Sequence, residues 1–380
     1  MKKTLLIMAA CVVSIAMFAT DLTGKRIYIN PGHGSWGPND RPNATIPYPN
    51  LASTGMPDTC GFYETNTNLW KCLELRDHLE AAGAFVMMSH TQGGPWPYEK
   101  VNGEYPDYTW EAYQQLPDFE KYNRPLLEIA DEAEANNMDY FISVHSNAAT
   151  DGNTVNYLAY FYRGNNAGEH VVPGAIEMCK ASWYHAFECR SMSGLEPNNY
   201  DTRDPETSKH ILADIDFYHS SYDATLPSSG KTYTGYLGVL HHGVPGFLVE
   251  GYFHTYHPAR HRALNPDYCK QEGIRYYRGI VDYFKATPET KGYILGTVKD
   301  EHNAFVHELY KYAANTNDQY APLNGAVVTL SKENGEVVGT YTVDNNYNGL
   351  FYFPDLEPGT YKLDAVADGY KPLHRQYQTV

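Results

Sequence analysis

Two histidines and two glutamates stand in short motifs whose residue types suit metal-dependent hydrolysis. The motifs are Pro-Gly-His33-Gly, Gly-Phe-Tyr-Glu64, Ser-Val-His145-Ser-Asn and Phe-Leu-Val-Glu250. Zinc that activates water is held by ligand sets such as two imidazoles and one carboxylate, with a fourth position left open. A further carboxylate beside the metal can act as the general base. We therefore predict that His33, Glu64 and His145 bind Zn²⁺ and that Glu250 is catalytic.

Considered one at a time, the four residues differ in how strongly they indicate a functional site. A histidine in a glycine-rich turn, such as His33, is commonly ordinary, and Glu64 before a helix is favoured by the helix dipole alone. His145 follows a strand-like run, at the end where open α/β sheets place their ligand-binding residues. Glu250 ends another apolar run, where a charge is costly unless it is paired or coordinated. For His145 and Glu250, the sequence therefore favours a functional role over a purely structural one.

A second group of histidines competes for the metal-binding role. His254, His257 and His261 follow Glu250 closely in the sequence. Their spacing matches no established metal-binding motif, although a second metal site remains an alternative. We expect them to lie in a polar loop at the rim of the pocket.

The segments between the motifs predict an α/β catalytic domain over residues 21–286. Short apolar runs alternate with segments whose apolar residues recur at helical spacing, and Gly83 and Pro125 stand at positions typical of helix ends. Such alternation predicts a mostly parallel sheet flanked by helices. The predicted strands cover residues 25–30, 84–88, 140–144, 155–162 and 247–249, and the predicted helices cover residues 67–82, 123–133, 174–187 and 267–285.

Three stretches lack this periodicity, at residues 35–60, 92–119 and 189–230. They are rich in Pro, Gly, Asn, Asp and Tyr. Long loops in a compact domain are commonly functional, and these segments could form the sides of the site and determine which substrate it accepts. The alternative is that they are surface loops without a function of their own.

The sequence changes character at both ends. Residues 292–380 consist of short alternating runs separated by turn residues, which predicts a small β-sandwich. Residues 1–20 combine Lys2 and Lys3 with an apolar run, which predicts a signal peptide and secretion across the inner membrane to the periplasm or cell envelope. Lipid attachment at Cys11 is a minor alternative, because the apolar run continues beyond that cysteine.

Charge and cysteine content exclude several classes of protein. The chain has 29 Lys and Arg against 45 Asp and Glu, a net charge of −16, which disfavours a nucleic-acid partner. No run after the signal segment is long enough to span a membrane. No cysteine pair has zinc-binding spacing. A Cys60–Cys72 or a Cys179–Cys189 disulfide is possible, and the sequence alone does not decide the pairing. Beyond residue 20 the cysteines are Cys60, Cys72, Cys179, Cys189 and Cys269.

Together the four motifs resemble those of the zinc-dependent N-acetylmuramoyl-L-alanine amidases, over residues 25–285. The resemblance implies that His33, Glu64 and His145 bind zinc and that Glu250 is catalytic. It also implies cleavage of the amide between muramic acid and L-alanine in peptidoglycan or a muropeptide. Whether a protein activator is needed is left undecided by the sequence. The chain departs from the family after His33, where an acidic, glycine-rich stretch is usual, and in the extra residues 214–222.

The C-terminal segment is similar to the carboxypeptidase regulatory-like β-sandwich, through Gly325-Ala-Val-Val-Thr-Leu and Leu356-Glu-Pro-Gly-Thr-Tyr. That similarity implies a non-catalytic accessory module. Two other functions stay open at this point. One is a zinc peptidase acting on muropeptides or another amide, and the other is a non-catalytic protein that binds cell wall or glycan.

Overall fold

The computed structural model describes residues 6–11, 20–34, 45–46, 62–91, 124–149, 154–185, 210–306 and 310–380. The strands before residue 254 are β1 (Leu6–Cys11), β2 (Arg26–Pro31), β3 (Thr45–Ile46), β4 (Phe62–Tyr63), β5 (Phe85–Met88), β6 (Tyr140–Asn147), β7 (Ala159–Tyr162), β8 (Ile211–Ala213), β9 (Tyr222–Thr225), β10 (Thr232–Gly235) and β11 (Gly246–Phe253). The helices are α1 (Glu64–Ala81), α2 (Leu126–Ala135), α3 (Ala175–Tyr184), α4 (Asp214–Tyr218), α5 (His257–Ala263) and α6 (Pro266–Tyr283).

A six-stranded sheet in the order β5-β2-β6-β11-β7-β8 forms the centre of the first domain. Strands β5, β2, β6 and β11 are parallel, and β7 joins β11 in the antiparallel direction. Helices α1, α3 and α6 pack on one face, and α2 packs on the other. The predicted α/β class with a mostly parallel sheet is confirmed.

Local sequence explains where the two longest helices begin and end. Glu64 opens α1, and Gly83 follows its end at a φ of 87°, a conformation that favours glycine. The Asn265 side chain caps α6 by accepting hydrogen bonds from two backbone N–H groups of the first turn, and Pro266 occupies the first helical position. These ends fix how both helices cross the sheet.

The C-terminal strands build two packed sheets, which confirms the predicted β-sandwich. One sheet has the order β15-β14-β17-β18, and in the other β12 pairs with β1, β13 and β16. Side chains from both sheets share one apolar core. The strands are β12 (Gly292–Ala304), β13 (Tyr320–Pro322), β14 (Val327–Lys332), β15 (Val337–Thr342), β16 (Leu350–Leu356), β17 (Thr360–Val366) and β18 (Leu373–Thr379).

The structure bears on the predicted signal peptide and on the three predicted loops. Residues 6–11 lie within the predicted signal peptide, and they form β1, which pairs with β12. The signal peptide itself stays a prediction. The predicted loops at residues 35–60 and 92–119 lie outside the described residues, apart from residues 45–46. The third predicted loop is wrong for residues 210–230, which contain β8, α4 and β9 because buried Asp214 ties this segment to the fold.

The two domains share a buried boundary. Tyr252, Tyr256 and Tyr268 of the first domain pack with Tyr293 and Tyr352 of the sandwich in one apolar cluster. Within the described part of the chain, no helix is long and apolar enough to cross a membrane.

Candidate metal centre

His33 lies in the turn that follows β2, at the carboxyl end of the sheet. The turn is anchored by the Gly32 N–H, which donates to the Val144 carbonyl over 2.9 Å. His33 itself has a φ of 67°, a left-handed conformation that is uncommon outside glycine and marks a site worth a functional explanation. A Cβ atom on Gly32 would come within 2.4 Å of the His145 ring, so only glycine leaves room for that imidazole.

Glu64 brings a carboxylate between the two imidazoles. Its Oε2 lies 3.2 Å from His33 Nε2, and its Oε1 lies 3.4 Å from His145 Nδ1. The Glu64 side chain is buried at the N-terminus of α1. The two imidazole rings meet edge to face with centroids 4.5 Å apart. The structure therefore brings these three sequence-predicted residues together.

Glu250 lies beside them on the neighbouring strand. It is directly opposite His145 in the parallel pairing of β11 with β6, and alternation along the strands puts both side chains on the same face. Glu250 is half-buried, and its shielded Oε2 has no hydrogen-bond partner among the described residues. Burial, reinforced by the charge of Glu64, raises the pKa of Glu250 well above its usual range.

The protonation states of Glu64 and His145 suit the binding of a cation. Burial would raise the pKa of Glu64, but the His33 and His145 side chains hold that pKa well below its usual range, so the carboxylate is ionised. Burial, together with the charge of His33, lowers the pKa of His145, which keeps this imidazole neutral. Metal ligands must be deprotonated in this way before they bind.

Distances within the cluster also fit a metal ion. One donor atom from each residue can be chosen so that all three lie within 4.8 Å of one another. Two ligands held about 2.1 Å from a tetrahedral zinc lie about 3.4 Å apart. Each imidazole is at about this distance from one oxygen of Glu64, with His33 Nε2 3.2 Å from Oε2 and His145 Nδ1 3.4 Å from Oε1. Two nitrogens and one carboxylate are a donor set typical of catalytic zinc. The residues present therefore fit the predicted ion.

Sequence reasoning missed two residues that hold the Glu64 carboxylate and a third residue that contacts one of them. The Ser146 N–H donates to Glu64 Oε1 over 2.9 Å, and the Asn68 side chain donates to the same oxygen over 3.2 Å. Ser146 in turn contacts His254, with Oγ and Nδ1 2.9 Å apart. Asn68 could have been found, since it lies one helical turn after Glu64. Nothing in the local sequence indicates the contact between residues 146 and 254.

The predicted polar loop containing His254, His257 and His261 is wrong. All three side chains are buried, and the last two lie on helix α5 against the C-terminal domain. His257 Nδ1 accepts a hydrogen bond from the Lys311 N–H, and His261 Nδ1 lies 2.6 Å from the Asn346 carbonyl oxygen. Packing under the sandwich, which the local sequence does not reveal, turns this segment inward. The alternative of a second metal site does not hold, because the three imidazoles have separate partners.

A buried charge cluster lies behind β11. Lys71 Nζ and Glu272 Oε2 are 2.6 Å apart, and the Arg275 guanidinium donates to the other oxygen of Glu272 over 2.9 Å. All three side chains are fully buried. Gly251, the residue after Glu250, has no room for a side chain because its Cβ would lie 2.9 Å from Glu272. The cluster thus fixes the backbone next to the Glu250 carboxylate.

The described cysteines form no crosslink with one another. Cys72, Cys179 and Cys269 are free and buried. Cys60 and Cys189, the other members of the two bridges considered from the sequence, lie outside the described residues. Cys72 lies on α1 and Cys179 on α3, and both side chains pack into the apolar core under the sheet. Burial raises the pKa of both thiols, which makes them inert packing residues.

Comparison with known proteins identifies both domains. No curated protein matches the sequence. Among solved structures, an N-acetylmuramoyl-L-alanine amidase from Clostridium difficile 630 shares 18% identity, with 69% of this chain and 97% of that chain covered and a TM-score of 0.41. The amidase Ami1 from Mycobacterium smegmatis shares 12% identity over 70% of this chain and 99% of that chain, with a TM-score of 0.43.

Family comparison covers most of the chain. Residues 316–380 match the carboxypeptidase regulatory-like domain. Residues 27–282 match the model of the N-acetylmuramoyl-L-alanine amidases. They contain the six-stranded sheet, apart from the first residue of β2, together with His33, Glu64, His145 and Glu250. The chain belongs to the N-acetylmuramoyl-L-alanine amidase family.

Proposed function

We propose that this protein is a zinc-dependent amidase that cleaves the bond between N-acetylmuramic acid and L-alanine in peptidoglycan. The observation that carries the proposal is the meeting of His33, Glu64 and His145 around one point, with Glu250 opposite His145. Family membership supplies the reaction class. The predicted signal peptide, residues 1–20, would deliver residues 21–286 and 292–380 to the periplasm or cell envelope, where this substrate lies.

His33, Glu64 and His145 would hold the zinc ion. When bound, zinc acts as a Lewis acid and lowers the pKa of a coordinated water to about 7. The Glu64 carboxylate is kept in place by the Ser146 and Asn68 hydrogen bonds. Gly32 leaves the space that the His145 ring occupies. These contacts preorganise the ligands, so that little reorganisation is needed when the substrate binds.

Glu250 would move the proton in this reaction. As the water oxygen attacks the carbonyl carbon of the lactyl amide, the Glu250 carboxylate takes a proton from that water. The carbon–nitrogen bond then breaks, and Glu250 returns the proton to the leaving nitrogen. The products are the lactyl carboxylate on the glycan and a stem peptide with a free L-alanine amine. A raised pKa suits this carboxyl group, since it must both accept and release a proton near neutral pH.

The test is digestion of purified sacculi by the protein, followed by mass spectrometry of the released fragments. We expect stem peptides that begin with L-alanine, lost in chelator and restored by zinc. Glu250→Gln should reduce the rate by about 10²- to 10⁴-fold while zinc still binds. Glu336→Gln is the matched control, because Glu336 is exposed on the sandwich and pairs with Lys332.

Other results would redirect the assignment. Zinc-dependent release of fragments with a different new terminus would indicate a peptidase rather than an amidase. Binding to sacculi without any release, with or without zinc, would indicate a non-catalytic cell-wall protein. Full activity of Glu250→Gln would contradict the role given to that carboxylate. Activity that appears only after addition of a cell-envelope extract would indicate a protein activator.

A further inference from the structure

The Glu64 carboxylate is held by a residue of β6 that is in turn contacted by the residue just after β11. Ser146, next to His145 on β6, donates its N–H to Glu64 Oε1. The Ser146 hydroxyl lies 2.9 Å from Nδ1 of His254, which follows the end of β11. The His254 N–H donates to the Asn147 carbonyl over 2.9 Å, so backbone and side chain both tie it to β6. Ser146 and His254 are buried, with 4% and 1% of their surfaces exposed.

The segment that carries His254 is held by the C-terminal sandwich. Asp318 of that domain accepts hydrogen bonds from Tyr256 Oη over 2.9 Å and from Arg262 Nη1 over 2.8 Å. Lys299 of β12 donates to the same carboxylate over 3.4 Å. Asp318, Tyr256 and Arg262 are almost fully buried, so these contacts are shielded from solvent and from salt.

Two further contacts fix the helix that follows. The Lys311 N–H donates to His257 over 2.7 Å, and the Asn348 side chain donates to the His261 carbonyl over 3.2 Å. A continuous set of short contacts therefore runs from Asp318 through residues 254–262 to Ser146 and then to Glu64. Partners behind metal ligands orient them, and losing one typically costs 10- to 100-fold in metal affinity.

We propose that Ser146 and His254 are positioning residues for Glu64, and that the C-terminal sandwich maintains the metal centre by holding residues 254–262. This inference rests on the proposed metal site. It adds a role in maintaining the metal centre of the first domain to the non-catalytic accessory role implied by sequence resemblance. The sandwich acts through geometry and touches neither metal nor substrate.

The test measures zinc affinity of the full-length protein by competition with a chromophoric chelator. We expect His254→Ala to weaken zinc binding about 10- to 100-fold. His254→Asn should recover most of that loss, because an asparagine amide can occupy the place of Nδ1 beside Ser146. Asp318→Asn should also weaken zinc binding, by a smaller factor. Lys332→Ala, which removes an exposed ion pair of the same domain, should change nothing.

Melting temperatures of the zinc-free variants separate positioning from stability. A merely structural role for His254 or Asp318 would lower the melting temperature and leave the zinc affinity of the folded protein within twofold of wild type, and that result would overturn the inference. A wild-type protein that binds no zinc would overturn it together with the proposed metal site. Tight, His254-dependent zinc binding without amidase activity would support this inference and refute the proposed function alone.

Discussion

Replacement of Gly32 by alanine tests whether the position of one imidazole controls the metal centre. The Gly32 backbone does not occupy the left-handed region, so a side chain adds no conformational strain there. The added methyl carbon would instead lie 2.4 Å from Cε1 and 2.5 Å from both ring nitrogens of His145. The change therefore acts directly on a proposed ligand and on little else.

The expected effect follows from the distances. Ordinary contacts of a Cβ atom begin at 3.4 Å, so the His145 ring must move by about 1 Å to accommodate the methyl group. That displacement is large compared with the tolerance of a metal–nitrogen bond, which is about 0.2 Å. A misplacement of about 1 Å in catalytic geometry costs about 10²-fold in rate. We expect Gly32→Ala to lose about that factor in kcat/KM and to bind zinc more weakly.

The assay combines the initial rate of stem-peptide release with a zinc titration and a thermal melt. Gly359→Ala is the control, because the nearest atom to a Cβ at that position is an ordinary 3.8 Å away. It should match wild type in all three measurements. Wild-type rates and zinc affinity in Gly32→Ala would refute the assignment of His145 as a ligand, since the displaced ring would then be irrelevant.

Two other predictions concern stability. Glu272→Gln should destabilise the protein by about 3–5 kcal/mol, because Lys71 and Arg275 would remain buried without a counter-charge, and urea unfolding measures this. Burial lowers the pKa values of His242 and His261 to about 3, against 6.5 in the unfolded chain. The unfolded chain then binds more protons, so stability present above pH 6.5 should fall as pH drops toward 3, by about 1.4 kcal/mol per pH unit for each histidine. Urea midpoints that stay constant from pH 7 to pH 5 would contradict this.

Most strands and helices of the first domain could be predicted from the sequence, because hydrophobic periodicity and helix-end residues are local signals. Predicted strands at residues 84–88 and 140–144 correspond to β5 and β6, and the predicted helix at 267–285 corresponds to α6. Boundaries moved where tertiary contacts decide them. Helix α1 begins at Glu64 rather than at residue 67, and this first residue contacts both imidazoles, which are distant in the sequence.

The candidate site was predictable to the extent that its residues lie towards the carboxyl ends of strands. His33 follows β2, and His145 and Glu250 lie in the second halves of β6 and β11. These strands are parallel neighbours, which brings their carboxyl ends to one edge of the sheet. Ser146 and His254 could not be predicted, because their contact joins positions 108 residues apart. No local pattern reports such a pairing, and it depends on the course of the chain after β11.

The packing of the two domains against each other has a signal in the sequence of β16. In β16, Phe351 and Phe353 enter the core of the sandwich, whereas Leu350 and Tyr352 pack against the first domain. A strand of a free sandwich should alternate apolar and polar residues, since one face meets water. The unbroken apolar run Leu350-Phe-Tyr-Phe353 therefore predicts burial on both faces. The first domain covers the outer face of this strand. The same boundary is joined by hydrogen bonds of Asp318 and Asn348 to residues 254–262, so the two domains pack as neighbours through both apolar and polar contacts.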